Sequence, residues 1–293
     1  MVVTQCGSMA KAAIQLAMSQ PAVSKAISDM EQALGVPLFD RTARGVEPTI
    51  YGNVLLKWSN AVFDDLRQGI GEIESLSDPT VGELRIGATE PMLCGFVPAV
   101  LARLHRHFPR LSFDVRQANA LAQQRHDLQE RRVDLIIGRV VRGDPDETLA
   151  TEVLFEEPWS VVAGARNPLA RRRRLALADL LQEPWSLPPT GNVLGTYLIE
   201  SFRAAGLDQP HAVVTCNSIE MHRALMVNGP FLAIFPRSLL RFSPDRQAVK
   251  VLPVTLPGPP PPVGITFLKN RTLSPTTQRF IKYARELAKP LRL

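Results

Sequence analysis

The chain has 293 residues, of which 45% are hydrophobic, and a formal net charge of +6 at pH 7. This length allows two or three domains with cores of their own. The sequence lacks both an apolar run long enough for a transmembrane helix and a signal-peptide pattern. Its three cysteines are too far apart for a disulfide framework or a Cys-x-x-Cys site. We therefore expect a protein of the reducing cytoplasm that does not enter a membrane.

The positive charge does not by itself indicate a nucleic-acid partner. Residues 1–77 contain six Lys and Arg but eight Asp and Glu, so their net charge is −2. The consecutive arginines at 171–174 could form a nucleic-acid patch, but a solvated loop is the more frequent role of such a run. Any DNA site must therefore be inferred from the positions of particular residues.

Residues 8–35 predict two short amphipathic helices separated by a tight break. Ser8 is a suitable N-cap for the first helix, and apolar residues follow it at helical spacing. The break falls at residues 17–19, where Ser19 can cap the second helix ahead of Pro21. Gly35 suits the position after the last helical turn. This pattern is typical of a helix-turn-helix, a motif that reads DNA.

The outward face of the second helix carries polar residues suited to a DNA groove. Short donors and acceptors, together with a cation, can contact base edges and phosphates. These residues are Gln20, Ser24, Lys25 and Ser28. Arg41 and Arg44 follow in a short segment that predicts a wing. We expect these two arginines on phosphates or in the adjacent minor groove.

Residues 12–42, AAIQLAMSQPAVSKAISDMEQALGVPLFDRT, resemble the DNA-binding domain of LysR-type transcriptional regulators. The similarity continues through the Thr-Ile-Tyr-Gly at 49–52 and, more loosely, through the rest of the chain. It implies a winged helix-turn-helix at residues 1–48 with double-stranded DNA as its partner. The DNA contacts that it implies are Ser8, Ser19, Gln20, Pro21, Ser24, Lys25, Arg41 and Arg44.

The start of the chain departs from the family pattern. Members have a complete first helix before the position of Gly7 and Ser8, whereas here only residues 1–6 precede them. Either the start is misplaced or the first helix is largely missing. In the second case we expect a loss of apolar burial comparable to the stability of a small domain. The side chains expected to lose cover are Ala12, Leu16, Val23 and Ile27. The alternative function is a small-molecule-binding protein that no longer binds DNA.

Residues 49–77 predict one long helix. Its apolar residues form a single stripe from Tyr51 to Leu76 at steps of three and four, and charged residues occupy the other faces. Pairing with the same helix of a second subunit is the simplest way to bury such a stripe, and packing on its own chain is the alternative. The resemblance implies that this linker helix forms a dimer, which reads an inverted repeat, and that dimers pair into a tetramer.

Beyond residue 82, predicted strands and helices alternate, which indicates α/β layers with mostly parallel sheets. The Ser-Asp-Pro-Thr at 77–80 ends the long helix and marks the clearest domain boundary. The resemblance implies a two-lobed effector domain like a type 2 periplasmic binding protein. Its limits would be 83–156 plus 264–293 for lobe I and 157–263 for lobe II, with crossings near 154–157 and 262–264.

Ligands of such folds bind at the carboxyl ends of strands, close to helix starts. Hydroxyls, amides and free N–H groups at these positions favour an anionic or polyol ligand. The effector would thus be a small organic acid or a sugar, although each residue alone could be only a helix cap. The candidate effector contacts are Thr89, Glu90, Arg139, Thr190, Asn192, Asn217, Ser218 and Phe235.

The sequence offers no support for catalysis. It has no Gly-x-Ser-x-Gly, no phosphate-binding loop and no Gly-x-Gly-x-x-Gly motif. His105 and His107 have no acidic cluster beside them, so a metal site is not expected. We therefore predict no catalytic residue, metal or cofactor. The chain is interpreted as a homo-oligomeric transcriptional regulator controlled by a small molecule.

Overall fold

The computed structural model describes residues 1–42, 45–78, 80–140, 146–190, 193–243, 247–258 and 262–292, with the backbone alone at 41, 42 and 193. The chain divides into two compact units, Met1–Ile73 and Glu74–Leu293. The first unit is mainly helical. The second contains two five-stranded sheets covered by helices.

The N-terminal unit starts with three helices and an antiparallel hairpin. The Ser19 hydroxyl oxygen accepts a hydrogen bond from the Ala22 N–H at 3.3 Å and caps the third helix, and Gly35 ends that helix with a φ of 69°. Both agree with the sequence prediction. The elements are α1 (Val2–Cys6), α2 (Met9–Gln15), α3 (Gln20–Leu34), β1 (Phe39–Thr42), β2 (Gly45–Pro48) and α4 (Ile50–Ser77).

The interior of this unit is better covered than the sequence suggests. Of the four side chains expected to lose cover, only Leu16 is exposed, at 42%. The others are buried: Ala12, Val23 and Ile27. Val3 of α1 lies in the same apolar cluster, and Phe39 of the hairpin packs against it. The expectation of weak packing is therefore wrong for three of these four residues, because α1 and the hairpin cover them.

Close contacts fix the start of α4. The Thr49 hydroxyl donates to the Pro37 carbonyl at 2.7 Å and accepts from the Gly52 N–H at 3.0 Å. A Cβ at Gly52 would overlap the carbonyl oxygen of Leu38, so this approach requires glycine. The Glu31 carboxylate of α3 accepts from the Leu38 N–H at 2.7 Å. These contacts join α3 and the hairpin to the first turn of α4.

The long helix α4 leaves its apolar stripe uncovered. Val62 is 56% exposed and Ile73 is 66% exposed, and neighbouring stripe residues are similar. A groove of about 890 Å³ also lies within this unit, between α4 and the preceding helices, and apolar side chains such as Met30 and Phe63 line it. Monomeric proteins rarely expose so much contiguous apolar surface.

The second unit contains the remaining strands and helices. The strands are β3 (Gly82–Ala88), β4 (Leu111–Gln117), β5 (Leu135–Arg139), β6 (Leu149–Glu156), β7 (Trp159–Gly164), β8 (Trp185–Leu187), β9 (Ala212–Thr215), β10 (Leu232–Pro236), β11 (Val249–Val251) and β12 (Pro262–Leu268). The α-helices are α5 (Glu90–Leu93), α6 (Phe96–His107), α7 (Leu121–Gln129), α8 (Val193–Ala204), α9 (Ile219–Asn228), α10 (Arg237–Phe242) and α11 (Pro275–Ala288). Short 3-10 helices lie at Pro168–Arg171, Leu177–Leu180 and Lys289–Leu291.

The two sheets define two lobes. Lobe I has the strand order β4-β3-β5-β12-β6, and lobe II has the order β11-β7-β10-β8-β9. The chain leaves lobe I after β6 and returns to it at β12. Each lobe has its own apolar core, with Phe96 and Phe280 buried in lobe I and Trp185 and Phe202 buried in lobe II.

The expectation of mostly parallel sheets is wrong. Among the described strands, each sheet has two parallel pairings, β3 with β4 and β5 in lobe I and β8 with β9 and β10 in lobe II. The other pairings are antiparallel and involve β12 in lobe I and β7 in lobe II. The reason is the crossing, because β7 and β12 each enter a lobe from the other one and run against their neighbours.

Candidate functional site

The exposed residues at the start of α3 form the candidate DNA-binding surface. Gln20, Pro21 and Lys25 are exposed, and Ser24 is half-buried beside them. In a helix-turn-helix, the first turns of the second helix face the base edges. The fold therefore brings these four predicted residues together at the position that faces DNA in such a motif.

The other predicted DNA contacts flank this surface. Ser8 is half-buried at the start of α2, and Ser19 is exposed and caps α3. The backbone of Arg41 lies in β1, where it pairs with Val46 of β2. The hairpin therefore has the position of the predicted wing. Arg44 lies outside the described residues.

A cavity of about 420 Å³ lies between the two lobes. The carboxyl ends of β3, β4 and β5 reach it from lobe I, and the segments that follow β8 and β9 reach it from lobe II. Its volume falls within the range of small-molecule sites. The lining residues are Thr89, Glu90, Pro91, Asn119, Ala120, Leu121, Gln124, Arg139, Pro188, Pro189, Leu194, Asn217, Ile219, His222 and Ile234.

Half of the predicted effector contacts line this cleft. They are Thr89, Glu90, Arg139 and Asn217. Thr190 is not among the lining residues, and its carbonyl accepts a hydrogen bond from the Thr196 hydroxyl at 2.8 Å. Asn192 lies outside the described residues.

Ser218 and Phe235 do not line the cleft, which corrects two expectations. The Ser218 hydroxyl oxygen accepts from the Met221 N–H at 3.2 Å and caps α9. Phe235 is 1% exposed and packs in a core cluster of lobe II. Successive side chains of a strand point to opposite faces, so Phe235 points away from the cleft that its neighbour Ile234 lines.

Three polar lining residues were not predicted from the sequence. Asn119 follows β4, so the rule of strand ends that selected Thr89 would also have found it. Gln124 lies within α7 and His222 within α9. Neither stands at an element boundary, and the packing of α7 and α9 on the sheets of their own lobes brings them to the cleft.

Arg139 is the candidate anion-binding group of the cleft. Its guanidinium carbon lies 4.7 Å from the centre of the Trp159 ring, a cation–π contact. Burial lowers the pKa of Arg139 to about 10, and the Glu157 carboxylate opposes this shift. Among the residues that the structure describes, the guanidinium makes no hydrogen bond or ion pair. It stays cationic at neutral pH and can bind a carboxylate bidentately.

Glu157 occupies the crossing between β6 and β7. It is 2% exposed, and its two carboxylate oxygens accept from the Ser238 N–H at 3.0 Å and the Ser238 hydroxyl at 2.5 Å. Burial raises the pKa of Glu157 to about 7, although these hydrogen bonds and the charge of Arg139 act in the opposite direction. Desolvation of the carboxylate therefore outweighs its stabilising contacts.

Glu90 links the two lobes across the cleft. One carboxylate oxygen, Oε1, accepts from the Ile219 N–H at the start of α9 at 2.8 Å. The other oxygen, Oε2, is buried without a hydrogen-bond partner among the described residues. Burial raises the pKa of Glu90, and the hydrogen bond from Ile219 opposes that shift. The Glu90 N–H itself donates to Asn119 Oδ1 at 3.0 Å.

His222 presents a neutral ring to the cleft. It is buried, and its Nδ1 lies 2.7 Å from the Ser186 hydroxyl oxygen. Burial lowers the pKa of His222 below its ordinary value, so the ring carries little positive charge at neutral pH. Arg139 is therefore the stronger candidate for an anionic ligand group.

Over the described ranges, no helix has the length and apolar character needed to cross a membrane. No group of three His, Cys, Asp or Glu side chains in those same ranges is placed to hold a metal ion.

A winged helix-turn-helix, a long helix with an exposed apolar stripe and a two-lobed cleft together define a DNA-binding regulator that responds to a ligand. The model of the LysR substrate binding domain matches residues 77–289, and that of the bacterial regulatory helix-turn-helix protein, lysR family, matches residues 1–53. The chain belongs to the LysR family. It is a LysR-type, DNA-binding transcriptional regulator with an effector-binding domain, and this family is one of regulators rather than enzymes.

The chain is similar to several named regulators. It is 30% identical to GbpR of Azospirillum brasilense over 272 residues, which cover 90% of this chain and 78% of that protein. It is 26% identical to the transcriptional dual regulator GltC of Bacillus subtilis over 265 residues, with coverage of 89% and 86%. The crystal structure of full-length CbnR complexed with the target DNA has a TM-score of 0.70 at 20% identity, with coverage of 98% and 96%.

Proposed function

We propose that two copies of the chain pair through α4 and read an inverted-repeat operator under the control of a small organic acid. The acid binds in the cleft between the lobes. The single observation that carries this proposal is the cationic Arg139 in that cleft, half-buried and without an ion pair to any carboxylate among the described residues. As functional limits we propose 1–48 for DNA binding, 49–77 for dimerisation, 83–156 with 264–293 for lobe I, and 157–263 for lobe II.

The exposed stripe of α4 supports self-association. A two-fold pair of such helices buries the stripe and places two copies of α3 on one side of the dimer. Two recognition helices related by two-fold symmetry match a DNA site with two inverted half-sites. The family resemblance supports a further pairing of dimers into a tetramer, and binding to DNA supports a cytoplasmic location.

Gln20 and Lys25 should contribute to DNA binding in different ways. We expect Gln20→Ala to relax base preference, because an amide can pair with a base edge. Lys25→Ala should weaken binding to all sequences, because a lysine contacts phosphates. It should also reduce the slope of the logarithm of affinity against the logarithm of salt concentration by about one. Fluorescence anisotropy with the operator and with random DNA, each at several salt concentrations, measures both effects.

Lys11→Ala is the matched control for the loss of one positive charge, since Lys11 is exposed on α2 rather than at the start of α3. It should change the affinity for both DNAs much less than Lys25→Ala does. The division of roles is refuted if Gln20→Ala and Lys25→Ala reduce specific and random binding by equal factors.

Replacing Arg139 should weaken the binding of the effector. A panel of small carboxylic acids and sugars is tested for its ability to raise the melting temperature of the full chain. We expect an acid to stabilise the protein, and Arg139→Gln to weaken its binding about tenfold or more, because a charge-assisted hydrogen bond to the carboxylate is lost. Arg173→Gln removes an exposed arginine of lobe II and is the control.

A sugar that binds equally well to the parent and to Arg139→Gln would contradict the prediction of an acidic effector and favour a polyol. The effector would act by changing the relative arrangement of the lobes, since residues of both lobes line the cleft. An acid contributes only its difference in affinity for the two arrangements. Its effect on operator binding should therefore be a modest factor, which anisotropy with and without the acid measures.

A further inference from the structure

The cleft contains two side chains of opposite charge at the carboxyl ends of two neighbouring strands. Ala88 of β3 and Ile137 of β5 are paired in the parallel register. Glu90 and Arg139 each follow one of these paired residues by two positions. Arg139 ends β5 and Glu90 opens α5 just after β3, so both lie at the carboxyl edge of the sheet and line the cleft.

These two side chains do not form an ion pair with each other, and each contacts a residue of lobe II instead. The Glu90 carboxylate accepts from the Ile219 N–H at 2.8 Å, and the Arg139 guanidinium stacks on Trp159. Ile219 starts α9 and Trp159 starts β7, so both partners belong to lobe II. The fold thus holds an acidic and a basic group separately in one cavity, rather than as an ion pair.

Both groups retain unused binding capacity. Oε2 of Glu90 is buried and has no hydrogen-bond partner among the described residues, and burial raises the pKa of this carboxyl. A buried acceptor without a donor is destabilising, and an ammonium donor would offset that cost. Among the described residues the guanidinium of Arg139 makes no hydrogen bond or ion pair, although the charge of Glu157 acts on it.

We propose that the effector is a zwitterion of the α-amino acid class, with its carboxylate on Arg139 and its ammonium group against the Glu90 carboxylate. This inference rests on the proposed function, in which an organic acid binds in the cleft. An acid without an amino group would offer no cation to the Glu90 carboxylate. A sugar would leave the guanidinium without an anion. The zwitterion satisfies both groups.

The test uses the full chain and the standard L-amino acids. Each amino acid is compared, by thermal shift and then by isothermal titration calorimetry, with the carboxylic acid and the amine that share its side chain. We expect at least one amino acid to bind, and its deaminated acid and decarboxylated amine to bind at least about tenfold more weakly, because each lacks one of two charge-assisted contacts.

Glu90→Gln tests the role of the carboxylate. Glutamine keeps an oxygen that can accept from the Ile219 N–H, so the contact between the lobes is preserved, but the negative charge is removed. This variant should bind the amino acid about tenfold more weakly or worse, and bind the deaminated acid as well as the parent does or better. Glu83→Gln is the matched control, since Glu83 is exposed at the opposite end of β3.

The outcomes separate this inference from the proposed function. If deaminated acids bind as tightly as the amino acids, or if Glu90→Gln binds both with unchanged affinity, the zwitterion is refuted and an organic acid effector stands. If neither amino acids nor acids bind the parent, the acid effector fails as well.

Discussion

Replacing Val62 with aspartate should dissociate the dimer that we propose to form through α4. Val62 is exposed in the middle of the 28-residue helix α4, on the apolar stripe. In a two-fold helix pair the substitution occurs twice at the same seam, and each unpaired carboxylate would cost several kcal/mol to bury. Because every 1.4 kcal/mol changes an equilibrium about tenfold, the dimer should weaken by about a thousandfold or more.

Light scattering on the full chain measures this effect as a fall in mass below that of the parent. Asn53→Asp is the matched control, because it adds the same charge at an exposed position on another face of α4. This control should keep the mass of the parent. An unchanged mass for Val62→Asp would mean that α4 does not form the dimer interface. Operator binding should fall with dimerisation, since a monomer engages only one half-site and loses the benefit of a linked second one.

The N-terminal unit could be predicted in detail because its signals are local. The cap at Ser19, the left-handed Gly35 and the apolar spacing within α3 each depend on residues within a few positions in the chain. The burial of Ala12 could not be predicted in this way. It depends on α1 and the hairpin packing over the same cluster, and such packing is not local in the sequence.

The effector domain was less predictable for the same physical reason. The alternation of strands and helices could be read from the sequence. The direction of each strand could not, because it depends on where the chain crosses from one lobe to the other, and no periodicity of the sequence indicates those crossings. The strand β6, the short strand β8 and the helix α10 were not anticipated. At the cleft, Glu90 and Arg139 could be predicted because ligands of such folds bind at the carboxyl ends of strands. Gln124 could not be predicted in this way, because it reaches the cleft through the packing of α7 against the sheet.

Glu157 should make the stability of the effector domain depend on pH in an unusual direction. Its pKa is raised by burial from an ordinary value of 4.5 to about 7. Between these values the unfolded chain has lost this proton while the folded chain retains it. The folded state then binds more protons, so stability falls as pH rises. The contribution is fully present below pH 4.5 and is lost as pH rises through about 7.

Glu157→Gln should remove this dependence, because a neutral amide can still bond to the Ser238 N–H and hydroxyl. A shift of this size corresponds to about 3 kcal/mol. Urea unfolding of the full chain at pH 5 and pH 8 should therefore show the variant gaining stability over the parent by an amount of that order as pH rises. Glu147→Gln controls for the loss of an exposed carboxylate. If the difference between Glu157→Gln and the parent is the same at both pH values, the buried carboxyl does not retain its proton near neutral pH, and its hydrogen bonds and the charge of Arg139 outweigh its desolvation.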